Sequence, residues 1–158
     1  MRPITGLVIA LGLFGAVSTG ASAQVLDKKV LSFQAAQKIA AAAEAAARAR
    51  GVGVVIAIVD DGGHLVLLHR LDDTQVASVN VGIGKARTAA IYRRPSKVFE
   101  DQIRDGRVAA LALADSTPLQ GGVPITLNGK VIGAIGVSGD TPQVDEAIAL
   151  AGAGALTE

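Results

Sequence analysis

The spacing of apolar residues along the chain changes period several times, and the longer periods predict four helices. Residues 32–51 are rich in alanine with interspersed Gln, Lys, Glu and Arg, and this composition favours a helix that Ser32 caps and Gly51 ends. In residues 74–95 apolar side chains recur every three or four positions, which predicts a long helix that Pro95 stops. Ser96 is the expected N-cap of a shorter helix over residues 97–104. Asp140-Thr141-Pro142 predicts a cap followed by proline in the first turn of a final alanine-rich helix, which is expected over residues 142–156.

Two segments carry the shorter period of β-strands and predict two hairpins. Residues 54–59 are an unbroken, mostly β-branched apolar run that is typical of a strand covered on both faces, and residues 65–71 form its partner across the turn Asp60-Asp61-Gly62-Gly63. The second hairpin is centred on Asn128-Gly129, the dipeptide preferred in type I′ turns.

The last strand of the second hairpin, residues 131–138, has small residues on both faces. Alternation places Gly133 with Ile135 on one face, and Ile132 with Gly136 on the other. Small residues in a strand indicate that another group approaches the backbone closely. An alanine-rich helix is the first interpretation, and a flat ligand is the second.

The order of these elements is helix, hairpin, two helices, hairpin and helix. It predicts a single α+β domain in which helices cover an antiparallel sheet. The loop between the third helix and Gly121 could add a short strand.

The first 23 residues have the three-part layout of a secretory signal peptide. Arg2 precedes an apolar run over residues 4–17, and the small-residue sequence Ala21-Ser22-Ala23 follows it. We expect cleavage after Ala23, export to the periplasm or the medium, and one mature domain over residues 24–158. A membrane anchor is the alternative, but the run is shorter than the roughly 20 apolar residues that a spanning helix needs.

Charge and sulfur content narrow the function classes. Loss of Arg2 with the signal leaves acidic and basic residues balanced, so neither nucleic acid nor stable membrane insertion is expected. The chain has no cysteine, and its one methionine is Met1. The mature protein would therefore contain no thiolate or thioether to bind a metal or haem, and its possible haem ligands are His64, His69 and Tyr92.

Five ordered blocks make the chain similar to the GlcG/HbpS-like family, and the resemblance covers nearly all of the mature sequence. The blocks are Gly62-Gly63-His64-Leu65-Val66, Lys85-Ala86-Arg87-Thr88-Ala89, Arg94-Pro95-Ser96, Gly121-Gly122-Val123-Pro124-Ile125 and Val131-Ile132-Gly133-Ala134-Ile135-Gly136-Val137-Ser138-Gly139. The chain departs from the family at Asp140, where a second glycine is more common, and at His69, where an arginine or another residue is expected.

The resemblance implies a profilin-like α-β-α sandwich with a central antiparallel sheet of about five strands, and assembly into higher homo-oligomers. It implies a haem or tetrapyrrole ligand, a role in haem, iron or redox-stress handling, and a sensor or uptake partner. Weak haem-degrading activity is implied as well, whereas other relatives belong to glycolate or propanediol utilisation. An enzyme of that metabolism and an interaction module without a ligand remain alternatives.

The candidate haem-binding residues come from the family blocks and from the chemistry that haem requires. His64 is the candidate axial ligand and the candidate metal ligand, with His69 as a further candidate. Lys85 and Arg87 could hold the propionates, although a solvated helix face would also explain them. Gly121 and Gly122 complete the candidate cofactor-binding residues.

The two histidines are not expected to share one ion. They are five residues apart on one predicted strand, an odd separation that places them on opposite faces, roughly 16 Å apart. For an enzyme, Asp60 and Asp61 beside His64 could supply acid–base chemistry, and residues 139–141 could hold an anionic group at a helix start. Turn and capping preferences alone account for these residues, and no catalytic set is complete.

Overall fold

The computed structural model describes residues 24–156, so the predicted signal peptide lies outside the described residues. Its helices and strands are α1 (Phe33–Arg50), β1 (Val55–Asp60), β2 (Leu65–Arg70), α2 (Ser78–Ile91), α3 (Lys97–Arg104), a short 3₁₀ helix (Val108–Ala112), β3 (Gly122–Leu127), β4 (Lys130–Ser138) and α4 (Pro142–Ala153). None of the helices within residues 24–156 is both long and apolar enough to cross a bilayer.

The strands form one antiparallel sheet in the order β2-β1-β4-β3. The described residues thus contain four strands, and the expected number of about five is wrong. The segment that could have added a strand, between α3 and Gly121, forms the 3₁₀ helix and a loop. Thr88 Oγ1 accepts a hydrogen bond from Thr117 N, and Tyr92 donates one to the Ala114 carbonyl, so the loop binds to α2 and not to a sheet edge.

Helices cover both faces of the sheet, which confirms the α-β-α sandwich. On one face α1 and α4 pack on a core that includes Ile56, Ile58 and Ile135. On the other face α2 packs through alanines against residues that include Val55, Ala57 and Ala134. The unbroken apolar run of β1 reflects this two-sided burial.

Helix α2 approaches the backbone of β4 closely, which confirms the prediction that the small residues of this strand make room for a helix. A Cβ atom built on Gly136 would lie 2.1 Å from the Gly82 carbonyl oxygen and 2.5 Å from Ala86 N, both in the backbone of α2. The predicted direction of Ile132 is wrong, because β4 has a bulge where Gly133 pairs with Ile125 and Val131 pairs with Thr126. Ile132 therefore joins the core beneath α1 and α4.

The predicted Asn128-Gly129 turn and two of the three predicted helix N-caps are present in the structure. Asn128 and Gly129 both have positive φ, 50° and 72°, as the type I′ turn requires. Ser32 and Thr141 cap α1 and α4 as expected. Ser96 does not cap α3, because its hydroxyl accepts a hydrogen bond from Gly122 N and donates one to the Leu119 carbonyl.

Candidate functional site

His64 lies at the rim of a shallow pocket that three separate segments build. The pocket has a volume of about 190 Å³ and is lined by Gly62, His64, Arg87, Ile91 and Asp115. Two of these residues come from the β1–β2 turn, two from α2 and one from the loop before β3. Arg87 Nε donates to the Gly63 carbonyl over 3.2 Å, which ties the turn to the helix.

Asp60 organises the turn that carries His64. Its Oδ1 accepts hydrogen bonds from the backbone N–H groups of Gly62 and His64, both at 2.9 Å, and lies 3.3 Å from His64 Nδ1. Partial burial acts to raise the pKa of Asp60, but the backbone N–H groups of His64 and Gly62 and the nearby His64 ring outweigh burial and lower it. Within residues 24–156 no protein group is hydrogen-bonded to His64 Nε2, and the side chain is 80% exposed.

The loop that carries Asp115 is hydrogen-bonded to Tyr92 and Thr88, through Ala114 and Thr117. The Tyr92 hydroxyl donates to the Ala114 carbonyl over 2.7 Å, and its ring packs edge-on against Phe99 with 5.0 Å between centroids. Asp115 lies between Ala114 and Thr117, the two bonded residues of the loop, and has a positive φ of 54°, a conformation that non-glycine residues rarely adopt. The tyrosine therefore supports the pocket wall through its hydroxyl, which is engaged by a carbonyl.

His69 lies in a different place, against α1. Its Nδ1 is 3.0 Å from Glu44 Oε2, and Arg48 contacts the other oxygen of Glu44 at 2.7 Å. Hydrogen bonds from Arg48 and then from His69 lower the pKa of Glu44, because they outweigh the effect of burial. The network joins β2 to α1 at the protein surface.

The two histidines reach opposite helical layers, although the reason differs from simple alternation. Val66 is unpaired in a bulge, since Leu67 pairs with Ile58 and Leu65 pairs with Val59. Leu65 consequently lies on the sheet face of Val59, which α2 covers, whereas His69 lies on the opposite face with Ile56. His64 precedes the strand, and the Asp60 turn determines its position.

Lys85 belongs to a buried cluster apart from the pocket. Its side chain is 5% exposed, and Nζ lies 2.8 Å from Asp145 Oδ2 and 3.0 Å from the Val137 carbonyl oxygen. The pair thus joins α2, β4 and α4. Burial raises the pKa of Asp145, because it outweighs the hydrogen bond and the charge of Lys85. The solvated-face interpretation is wrong for Lys85.

Gly121 and Gly122 are packed against this same cluster. A Cβ atom on Gly121 would lie 3.0 Å from Lys85 Nζ, and one on Gly122 would lie 2.2 Å from the Lys85 carbonyl oxygen. Lys85, Gly121 and Gly122 therefore form one group with Asp145, while Arg87 and His64 form another. Spacing could not have revealed Asp145 as the partner of Lys85, since sixty residues separate them.

The start of α4, the candidate anion site of the enzyme alternative, is occupied by the chain's own oxygen atoms. Asp145 Oδ1 accepts from Asp140 N at 3.1 Å, Asp140 Oδ1 accepts from Thr141 N at 2.7 Å, and Thr141 Oγ1 accepts from Val144 N at 3.4 Å. These contacts leave the small-acid alternative without an observation in its favour. Among residues 24–156 there is also no group of three or more His, Cys, Asp or Glu side chains that could hold a metal ion.

The chain thus forms an α-β-α sandwich with a histidine at the β1–β2 turn and an arginine of α2 beside it. Residues 31–154 match the HbpS-like family, described as haem degrading protein HbpS-like. The chain belongs to this family.

Curated relatives and solved structures agree with the family assignment. Protein GlcG of Escherichia coli strain K12 is 43% identical over 111 residues, which are 70% of this chain and 83% of GlcG. The structure of Klebsiella pneumoniae ORFY, a DUF336 protein, has a TM-score of 0.78 at 30% identity and covers 84% of this chain and 94% of its own. PduOC in complex with haem has a TM-score of 0.74 at 26% identity, covering 81% of this chain and 96% of PduOC.

Proposed function

We propose that this protein is an exported haem-binding protein in which His64 is the axial ligand and Arg87 pairs with a propionate. The observation that carries the proposal is the 80% exposed His64 side chain at a pocket that Arg87 also lines, with Nδ1 3.3 Å from Asp60 Oδ1. Membership of the HbpS-like family and the haem complex of the similar PduOC support haem as the ligand.

The pocket residues fit the chemistry of haem at its edge. Haem needs a nitrogen ligand for the iron, apolar surface for the ring and cations for the propionates. In the pocket His64 supplies the first, Ile91 supplies apolar surface and Arg87 supplies a cation. Leu65, which follows His64 in the chain, is 48% exposed and adds apolar surface outside the pocket lining. When bound, haem would supply an iron centre for electron transfer or ligand binding, and the chain's residues would hold and orient it.

The pocket is too small to enclose a haem, and we therefore propose that the protein also self-associates. Its volume of about 190 Å³ is below the roughly 300–1,000 Å³ of pockets that enclose a ligand. A haem held by His64 would therefore keep much of its ring outside the pocket. Because exposed apolar area is unfavourable in water, we include a homo-oligomer whose subunits cover that surface. Sizing with light scattering tests this part, and a monomer in the haem-loaded state would contradict it.

A hemin titration of the mature protein tests the ligand and its position. We expect a saturable Soret shift for the unmodified protein, and an affinity at least about tenfold weaker for His64→Ala, because the iron loses its protein ligand. His69→Ala is the matched control, since His69 contacts Glu44 on the other side of the sheet, and its spectrum should be unchanged. An absent shift, or equal spectra for His64→Ala and the unmodified protein, would contradict the proposal.

Export is the part of the proposal that the N-terminal sequence supports. Expression in a bacterial host should yield a secreted or periplasmic product that begins at Gln24, as intact-mass measurement can establish. Ala23→Leu should block cleavage, because the processing site requires small residues, while Thr19→Ser should be processed normally. A full-length product that stays inside the cell would overturn this part.

A further inference from the structure

Asp60, which lies beside the exposed His64 ring, is fixed by four hydrogen bonds within the β1–β2 turn. Asp60 is fixed at both its backbone and its carboxylate, because its N–H donates to the His64 carbonyl, its carbonyl accepts from Gly63 N, and Oδ1 accepts from Gly62 N and His64 N. The carboxylate therefore cannot turn away from the His64 ring without breaking the turn.

Gly62 shows that the ring folds back over the turn. A Cβ atom on this residue would lie 2.9 Å from both Nδ1 and Cε1 of His64, and 3.2 Å from Asp60 Oδ1. The ring thus occupies the space that any larger residue at position 62 would fill. The ring places Nδ1 3.3 Å from Asp60 Oδ1, while the His64 side chain as a whole stays 80% exposed.

We infer that Asp60 is a positioning residue that holds His64 in its Nδ1–H form, so that the lone pair of Nε2 is presented to a ligand. An ionised carboxylate only accepts, so at 3.3 Å from Asp60 Oδ1 a protonated Nδ1 is favoured over a bare lone pair, and the proton of a neutral imidazole is then absent from Nε2. A carboxylate behind a metal-binding histidine fixes its orientation and makes its free nitrogen more basic.

The preference for the Nδ1–H form is a property of the protein without ligand. The effect of Asp60 on bound iron rests on the proposed function, because it requires that haem binds at His64.

Nitrogen-15 NMR of the ligand-free protein at pH 8 tests the preference for the Nδ1–H form, because the two ring nitrogens report the tautomer directly. Free histidine favours the Nε2–H form in water, so we expect His64 to show mainly the opposite form. Asp60→Asn keeps the oxygen that holds the turn but loses the charge, and should lower the ratio of Nδ1–H to Nε2–H by about threefold or more. Asp61→Asn is the matched control, since Asp61 pairs with Lys28 at 2.6 Å, and it should leave the ratio unchanged.

Gly62→Ala provides a second variant that keeps the Asp60 carboxylate and acts chiefly on the ring, because the new Cβ atom would lie closer to His64 Nδ1 and Cε1 than to Asp60 Oδ1. Its methyl group should displace the exposed His64 ring and lower the Nδ1–H population, with little change in melting temperature because the ring can rotate into solvent. A dominant Nε2–H form in the unmodified protein, or a ratio that neither Asp60→Asn nor Gly62→Ala changes, would overturn the inference.

The reduction potential of the hemin-loaded protein tests the effect of Asp60 on bound iron. A more basic axial nitrogen stabilises ferric iron, so Asp60→Asn should shift the potential to a more positive value and Asp61→Asn should not. If the tautomer responds as expected but hemin binds to none of the proteins, the positioning role of Asp60 stands and the haem proposal falls. If hemin binds and the potential is the same in all three proteins, the effect on iron is refuted while haem binding stands.

Discussion

Replacement of Gly136 by alanine is expected to cost about 3 kcal/mol of folding free energy or more, because the added methyl group meets backbone atoms that cannot rotate away. The new Cβ atom would lie 2.1 Å from the Gly82 carbonyl oxygen and 2.5 Å from Ala86 N. Strand β4 is hydrogen-bonded on both sides, to β1 and β3, so it cannot retreat. Helix α2 must instead lift from the sheet, which exposes the alanine-lined contact beneath it.

Urea unfolding followed by circular dichroism measures this loss. The matched control is Gly154→Ala, because Gly154 has φ −69° at the end of α4 and its nearest Cβ contact is 3.3 Å away. We expect this control to change stability by no more than about 0.5 kcal/mol. A loss below about 1 kcal/mol for Gly136→Ala would mean that α2 is not packed on β4 as closely as described.

Replacement of Lys85 by methionine is expected to cost about 3–5 kcal/mol at neutral pH, because it leaves Asp145 as an unpaired buried carboxylate. Asp145 is 2% exposed, and Lys85 Nζ is its nearest cation at 2.8 Å. Methionine has nearly the volume of lysine, so the loss reports the missing charge more than a cavity. Lys38→Met, at an exposed position of α1, is the control and should stay within about 0.5 kcal/mol.

The pH dependence of the Lys85→Met variant has a definite sign. In the folded protein burial raises the pKa of Asp145 above its ordinary value of 3.8, and loss of Lys85 should raise it further. A carboxyl with a raised folded-state pKa contributes stability that is fully present below 3.8 and is lost as pH rises through the folded-state pKa. The deficit of Lys85→Met should therefore shrink as pH falls from 7 toward 4.

A double variant separates the lost pairing from other effects of the substitution. In Lys85→Met/Asp145→Asn no buried charge remains, so the double variant should be more stable at pH 7 than Lys85→Met alone. Equal stability of the single and double variants, or a deficit that grows toward acid pH, would contradict the role assigned to the pair. Unfolding curves at pH 4 and 7 provide both comparisons.

Sequence reasoning succeeded where the determinants lie within a few residues of one another. Ser32 and Thr141 cap their helices, and Asn128-Gly129 forms the type I′ turn, because each depends on contacts no more than about four residues away. Ser96 has the same local signal and fails as a cap, because Gly122 N and the Leu119 carbonyl, more than twenty residues distant, engage its hydroxyl. The nearby loop likewise bonds to α2, so the expected fifth strand is absent from residues 24–156.

In the candidate site, too, the sequence indicated single residues but not the distant residues that they contact. His64 and Arg87 could be selected from their blocks, but nothing in their separation along the chain predicts that Arg87 bonds to the turn beside His64. Lys85 resembles a surface lysine in sequence, but in the fold its buried ammonium group contacts Asp145 of α4 and the Val137 carbonyl oxygen of β4. The bulges at Val66 and Ile132 each insert one residue into a strand, which reverses the faces that alternation assigns.

The amino-acid sequence by itself determined the order of helices and hairpins, the family, and the absence of a sulfur ligand after residue 23, because these follow from composition and from short-range backbone preferences. The tertiary structure alone decided that His64 shares a pocket with Arg87, that His69 contacts Glu44, and that Lys85 pairs with Asp145. These contacts join segments more than twenty residues apart, and close packing of helices on both faces of the sheet determines which distant side chains meet.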